Sequence, residues 1–193
     1  MKNFLMTLSI LVVLFPTPSF SKTFISGQLG FSWINSRPND DSNYLVDAHE
    51  GIGSQFYFGY LFSVNDTFSV GPEIGLGWNV FMPGDNAKSE KLLINTTIPI
   101  DIKAKIDINQ NFYFFGRAGI ASVQQDITSS WLFPIGSSSK WQPTFGGGFG
   151  YNLNKSLSLE LSYNFVNGTN EQTHYKNNTA RFQNVSFGVT YSF

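Results

Sequence analysis

The stretch Thr67-Phe68-Ser69-Val70-Gly71-Pro72-Glu73-Ile74-Gly75-Leu76-Gly77-Trp78-Asn79-Val80 decides the fold class. Phe68, Val70, Pro72, Ile74, Leu76, Trp78 and Val80 alternate without a break with Ser69, Gly71, Glu73, Gly75, Gly77 and Asn79. Side chains of a β-strand point to opposite faces in turn, so each set occupies one face. A helix of about 3.6 residues per turn would scatter both sets around its axis. Three other stretches repeat the period. Ile98, Ile100, Ile102, Ala104 and Ile106 oppose Thr97, Pro99, Asp101, Lys103 and Lys105. Leu157, Leu159, Leu161, Tyr163 and Phe165 oppose Ser158, Glu160, Ser162 and Asn164. Val185, Phe187, Val189, Tyr191 and Phe193 oppose Asn184, Ser186, Gly188, Thr190 and Ser192.

Weaker alternation over residues 23–34, 52–62, 112–121 and 142–151 brings the expected strands to eight. Each is near the ~9–11 residues that cross a bilayer at a tilt. Short connections centre on Asn65-Asp66, on residues 107–111 and on residues 152–156. The alternate connections, 35–51, 81–91, 122–141 and 167–180, are long and polar. Short turns at one end and long loops at the other predict an all-β, eight-stranded antiparallel transmembrane barrel. An even strand number puts both termini on the side of the short turns.

A soluble barrel would hide its apolar set inside, so the facing has to be argued. The opposing set is mostly Gly, Ser, Thr and Asn, which suits a narrow lumen better than a solvated exterior rich in Lys and Glu. Charged residues are 13% of the chain, about half the usual share for a soluble domain. Trp33, Trp78, Trp141, Phe145 and Phe165 fall toward the loops, and Phe68, Phe112, Tyr151, Tyr191 and Phe193 toward the turns. Amphipathic rings favour the two bilayer interfaces. The apolar set therefore faces lipid.

The first residues read as an address. Lys2 is followed by an apolar run over residues 4–15, broken only by Thr7 and Ser9, and then by Pro16 and Pro18. Ser19 and Ser21 stand where a signal peptidase takes small residues. The expected division is a signal peptide over 1–21 and a barrel domain over 22–193. The chain has no Cys, which excludes disulfides, thiol nucleophiles, thiolate metal sites and a lipidated N-terminus. A net charge of -1 offers no electrostatic footprint for nucleic acid.

The ending Val185-Ser186-Phe187-Gly188-Val189-Thr190-Tyr191-Ser192-Phe193 resembles the C-terminal assembly signal of bacterial outer-membrane proteins. That signal has a terminal aromatic with apolar residues at every second place before it. The mature chain resembles the small eight-stranded barrels of the OmpA/OmpX/opacity type. The resemblance implies Val185, Phe187, Val189, Tyr191 and Phe193 as the signal read by the barrel-assembly machinery. It also implies a place among the phospholipid and lipopolysaccharide of the outer membrane, without the separate peptidoglycan-binding domain of full-length OmpA.

With the apolar set outside, Glu73, Asp101, Lys103, Lys105, Arg117 and Glu160 face the lumen. Unpaired ions in a narrow lumen cost several kcal/mol, so an ionic plug is expected, with Glu160 reaching across from the far wall. The same charges could gate a narrow pore by exchanging partners. Pro72 and Pro99 lack the N–H that a ladder needs, and a bulge or register adjustment is expected at each.

Other chemistry is thin. Gly146-Gly147-Gly148-Phe149-Gly150 has neither the Lys-Ser/Thr nor the helix of a phosphate loop. His49 and His174 fall in expected loops without arranged carboxylates, so no metal or other cofactor is expected. Some barrels of the resembled type deacylate or acylate lipid A. The deacylase type carries His and Ser two apart, whereas here the runs are His49-Glu50-Gly51 and His174-Tyr175-Lys176. No catalytic residue is assigned. The third long loop holds an apolar cluster of Trp131, Leu132, Phe133, Pro134 and Ile135, a candidate contact for a partner or for the barrel rim. The expected function is non-enzymatic: envelope integrity and contact of the surface loops with a host or other surface ligand. A narrow pore for small or hydrophobic solutes is the alternative, and a lipid A-modifying enzyme the second.

Overall fold

A computed structural model describes residues 21–35, 48–83, 92–128, 134–168, 179 and 181–193. The strands are β1 (Ser21–Asn35), β2 (Ala48–Ser63), β3 (Phe68–Pro83), β4 (Leu92–Asp107), β5 (Phe112–Thr128), β6 (Pro134–Asn152), β7 (Leu157–Val166) and β8 (Arg181–Ser192). Each pairs antiparallel with the next, and β1 closes on β8 from Phe24 opposite Ser192 to Asn35 opposite Arg181. Residues 1–20 of the expected leader and the cluster Trp131, Leu132 and Phe133 lie outside the described residues, while Ser21, expected as the last leader residue, opens β1.

The barrel is apolar outside and polar inside. Leu29 is 70% exposed and Trp78 55%, whereas Glu73 is 3% and Lys103 2% exposed. Closure leaves no edge through the membrane, so the backbone groups of the spanning segments bond within the sheet rather than facing hydrocarbon. Rings gather where the wall meets the interfaces. At the turn end Phe112 meets Tyr151 edge-on at 4.9 Å and Tyr191 meets Phe193 at 5.0 Å. At the loop end Trp33 lies 6.5 Å from Tyr163.

The three short turns share one chemistry. Val64-Asn65-Asp66-Thr67-Phe68, Ile108-Asn109-Gln110-Asn111-Phe112 and Leu153-Asn154-Lys155-Ser156-Leu157 each place Asn second. Asn65 Oδ1 accepts from the backbone N–H of Thr67 and Phe68, at 2.9 and 2.8 Å. Asn109 and Asn154 repeat this with Asn111 and Phe112, and with Ser156 and Leu157. The side chain mimics a backbone turn, which is why Asn belongs there.

Two expectations are corrected. Neither proline makes a bulge. Gly59 opposite Glu73 and Phe62 opposite Val70 keep one offset, so only the two positions at Gly71 and Pro72 go unpaired with β2. Pro99 interrupts the β3 ladder in the same way, between Ile74 opposite Ile100 and Gly77 opposite Thr97. On their other sides Pro72 pairs with Ile102 and Pro99 with Ala121. A missing N–H removes bonds on one side of a strand, and the register survives because the other side holds it. Register shifts fall instead at Ala48/Glu50 and Ile127/Thr128, near the loops.

The second correction concerns the long connections. Residues 122–128 and 134–141, expected as loop, continue β5 and β6 as a paired ribbon from Ser122 opposite Trp141 to Ile127 opposite Gly136. The alternation fades there because Gln125 takes an inward place and Gln124 and Asp126 outward ones, while the backbone ladder needs no apolar side chain. β2 likewise begins at Ala48 and β3 runs to Pro83. Asn109→Ala should remove the side-chain acceptor of its turn and lower stability by about 1 kcal/mol, measured by urea unfolding of the micelle-bound protein.

Candidate functional site

Two features can carry function: the filled lumen and the ribbon above it. In the lumen, β4 sets Asp101 and Lys103 beside Glu73 of β3 and Arg117 of β5, because Glu73 pairs with Asp101 and Lys103 with Arg117. Like charges as direct neighbours repel. Lys103 and the Glu73–Arg117 pair find opposite charges across the lumen, and Asp101 finds a hydroxyl donor. Lys103 Nζ reaches Glu160 Oε1 on β7 at 3.0 Å, with both side chains buried. The same Oε1 accepts from the Tyr113 hydroxyl at 2.8 Å, and Oε2 accepts from Gln28 Nε2 at 3.2 Å. Lys103 Nζ also sits 4.4 Å from the Phe115 ring centroid and 4.7 Å from that of Phe24. Gly150 makes room for this arrangement, since a Cβ there would run into the Tyr113 ring.

The second pair is held differently. Arg117 Nε lies 3.2 Å from Glu73 Oε1. The directions are not those of a hydrogen bond, and the Glu73 oxygens and Arg117 nitrogens are without hydrogen-bond partners. Charge and stacking hold the guanidinium, 4.1 Å over the Tyr57 ring. Asp101 accepts from the Thr144 hydroxyl. A cavity of about 20 Å³, room for one water, lies among Tyr57, Asp101, Arg117, Thr144 and Asn164.

Lys105 stands apart from the cluster expected of it. It bonds Asp107 Oδ1 at 2.9 Å, and both are partly exposed near the turns. Asp107 was readable only as a turn residue, although its place two after Lys105 puts it on the same strand face. Sequence reasoning also missed Tyr57, Tyr113, Gln28 and Thr144, which carry no charge to mark them. It missed the apolar cap as well. Ile34, Phe81, Ala121, Val123, Val166 and Phe182 form a buried cluster inside the lumen toward the loops. Phe81 and Phe182 meet at 6.4 Å. The cap covers the cavity through Ala121, Val166 and Phe182. In the alternating pattern these residues stand on the polar-facing side, where an apolar residue gives no signal of its own.

The ribbon is the second feature. β7 stops at Val166 opposite Thr144, where Asn167 N donates to Pro143 O at 2.9 Å. Gln142 Nε2 donates to Thr179 Oγ1 at 2.7 Å. From Pro134 to Trp141, β6 pairs with β5 on one side and with no described strand on the other. An unpaired strand edge presents N–H and C=O groups that an extended chain can bond.

Phe187, Val189, Tyr191 and Phe193 lie exposed on the lipid face of β8, with Val185 half-buried in the same row. His174 lies outside the described residues, and His49 falls within β2. Among the described residues no group of three His, Asp or Glu could hold a metal ion.

Residues 7–193 match the outer membrane protein beta-barrel domain family. No curated protein matches the chain. Among solved structures, Ail, the attachment invasion locus protein of Yersinia pestis, in complex with the heparin analogue sucrose octasulfate, aligns with TM-score 0.55 at 14% identity. The alignment covers 90% of this chain and 98% of that one. The outer membrane protein OprG of Pseudomonas aeruginosa aligns with TM-score 0.54 at 10% identity, over 90% of this chain and 96% of that one. At such identities the likeness is one of fold.

Removing one partner of the Lys103–Glu160 pair strands a buried charge. Lys103→Met or Glu160→Met should each cost about 3–5 kcal/mol. Lys103→Met combined with Glu160→Met should cost less than the sum, which a double-mutant cycle in denaturant would read.

Proposed function

Since the chain belongs to the outer membrane protein β-barrel family and is an integral protein of the bacterial outer membrane, we propose that it acts without catalysis, through its outer end. The observation that carries this reading is the asymmetry of the wall. β6 has 19 residues and its neighbour β7 has 10, so the β5–β6 ribbon rises past β7 with one edge that pairs with no described strand. Such an edge suits an extended polypeptide, which adds as a strand and gains main-chain hydrogen bonds while alternate side chains are read. The ligand is then a surface or host protein with an extended segment. The barrel beneath is a rigid mount, and its stability contributes to the integrity of the envelope. A sulfated glycan would need clustered cations, and the described part of the ribbon carries one cation, Lys140, and one anion, Asp126.

The test is to shorten the ribbon without touching the barrel. Gln125 pairs with Ser138, so removing residues 125–138 and joining Gln124 to Ser139 through Asn-Gly closes a tight hairpin in register. The barrel should still show heat-modifiable gel mobility, while adherence of bacteria producing it to cultured epithelial cells should fall about tenfold. Unchanged adherence would remove the reading.

The pore alternative draws support from the loosely bonded Arg117–Glu73 pair and the cavity beside it. The apolar cap opposes it, since an apolar constriction excludes water and ions. The wild-type barrel should therefore give no steady conductance in planar bilayers. Arg117→Gln alone should leave it closed, and only Arg117→Gln with Phe182→Ser should raise conductance.

A further inference from the structure

On the lipid-facing wall, one cation stands alone among the described residues. Lys103 and Arg117 lie in the lumen, and Lys22, Lys105 and Lys155 lie at the turn end. Lys140 is on the ribbon. Arg181, at the loop end of β8, alternates with the buried Phe182 and Asn184, and so faces outward with Gln183 and Val185. It makes no ion pair among the described residues. Its Nε is buried without a hydrogen-bond partner. Its guanidinium carbon lies 5.6 Å from the ring centroid of Phe165, an outward residue of β7.

The neighbours are donors and rings. The Tyr163 hydroxyl donates to Gln183 Oε1 at 2.6 Å, which leaves the Gln183 amide nitrogen free to donate outward. Trp33 pairs in register with Gln183 and lies against Tyr163, bringing an indole N–H to the same level. Directly below, the wall turns apolar: Phe31 opposite Val185, then Leu29 opposite Phe187. Phe31 is 73% exposed. Glu50 of β2 is the acidic group on this face, separated from Gln183 by Trp33.

We infer that Arg181, Gln183, Tyr163 and Trp33 form a binding site for the phosphate of an outer-leaflet lipid headgroup, whose acyl chains lie on Phe31, Leu29 and Phe187. A guanidinium matches a phosphate with two parallel N–H bonds, and it is weakly enough hydrated to enter an interface. An unpaired Arg on a lipid-facing wall is costly at mid-membrane and nearly free near the interface. A headgroup phosphate supplies a counter-ion that no described residue provides. The apolar surface below distinguishes a lipid from a free anion, which would gain nothing from it. This site is on the membrane wall and stands or falls independently of the ribbon edge.

The test uses the full folded barrel in an uncharged detergent, with lipid retention read by native mass spectrometry. Bis-phosphorylated lipid A and phosphatidylglycerol are the probes, and dephosphorylated lipid A and inorganic phosphate the controls. One phosphate-bearing lipid should stay bound, Arg181→Gln should lower its retention about tenfold, and Glu50→Gln should not lower it. Dephosphorylated lipid A should be lost, and millimolar inorganic phosphate should not displace the bound lipid. Equal retention by Arg181→Gln, or equal retention of the dephosphorylated lipid, would overturn the site. Displacement by inorganic phosphate would overturn the lipid as its ligand. The dephosphorylated arm needs only the wild-type chain, so it decides the matter even if the variant fails to fold.

Discussion

Every backbone N–H and C=O that enters hydrocarbon must find a partner inside the protein, because no water is there to supply one. The remainder of the structure follows from this constraint. It forces the sheet to close, β8 onto β1, so that no spanning strand has a free edge. It also explains how two prolines survive in mid-wall. Pro72 and Pro99 each forgo pairing on one side at two positions and keep the ladder on the other. A bulge would have shifted every following side chain to the wrong face, with Asp101 and Lys103 turned toward lipid.

Closure with eight strands leaves a lumen about as wide as its own side chains. Those side chains must satisfy one another. Toward the turns they do so as charges and donors: Lys103, Tyr113 and Gln28 all converge on Glu160. Toward the loops they do so as an apolar cap around Phe81 and Phe182. The two layers obey different physics. The ionic layer gains strength from exclusion of water, and the cap is what excludes it. The same closure requirement ends where the membrane ends. Past the outer interface water can satisfy a strand edge, and β6 runs on beyond the end of β7 with no described strand beside it.

Much of this was legible beforehand. Strict alternation at Phe68–Val80 and at Val185–Phe193 identified the strands and their faces, since period two has one physical cause. The inward direction of Glu73, Asp101, Lys103, Arg117 and Glu160 followed from parity alone. Partner choice did not. Lys103 passes over its neighbour Asp101 to reach Glu160 of β7, a choice set by the curvature that brings β4 and β7 across one lumen. The short turns were placed from the sequence at Asn65-Asp66, 107–111 and 152–156, while the hydrogen bonding shared by Asn65, Asn109 and Asn154 shows only in the folded chain.

The sequence by itself determined the architecture: eight strands, apolar out and polar in, with short turns below and long connections above. A periodic pattern is local, and a local pattern is readable from neighbours along the chain. The tertiary structure decided what depends on distance between strands. It set which charges pair, that Phe81 and Phe182 close the outer lumen, that β5 and β6 continue as a ribbon where alternation fades, and that Arg181 meets Phe165 on the outer wall. These depend on register and barrel closure, which join residues far apart in sequence and leave no mark in the alternation of any single strand.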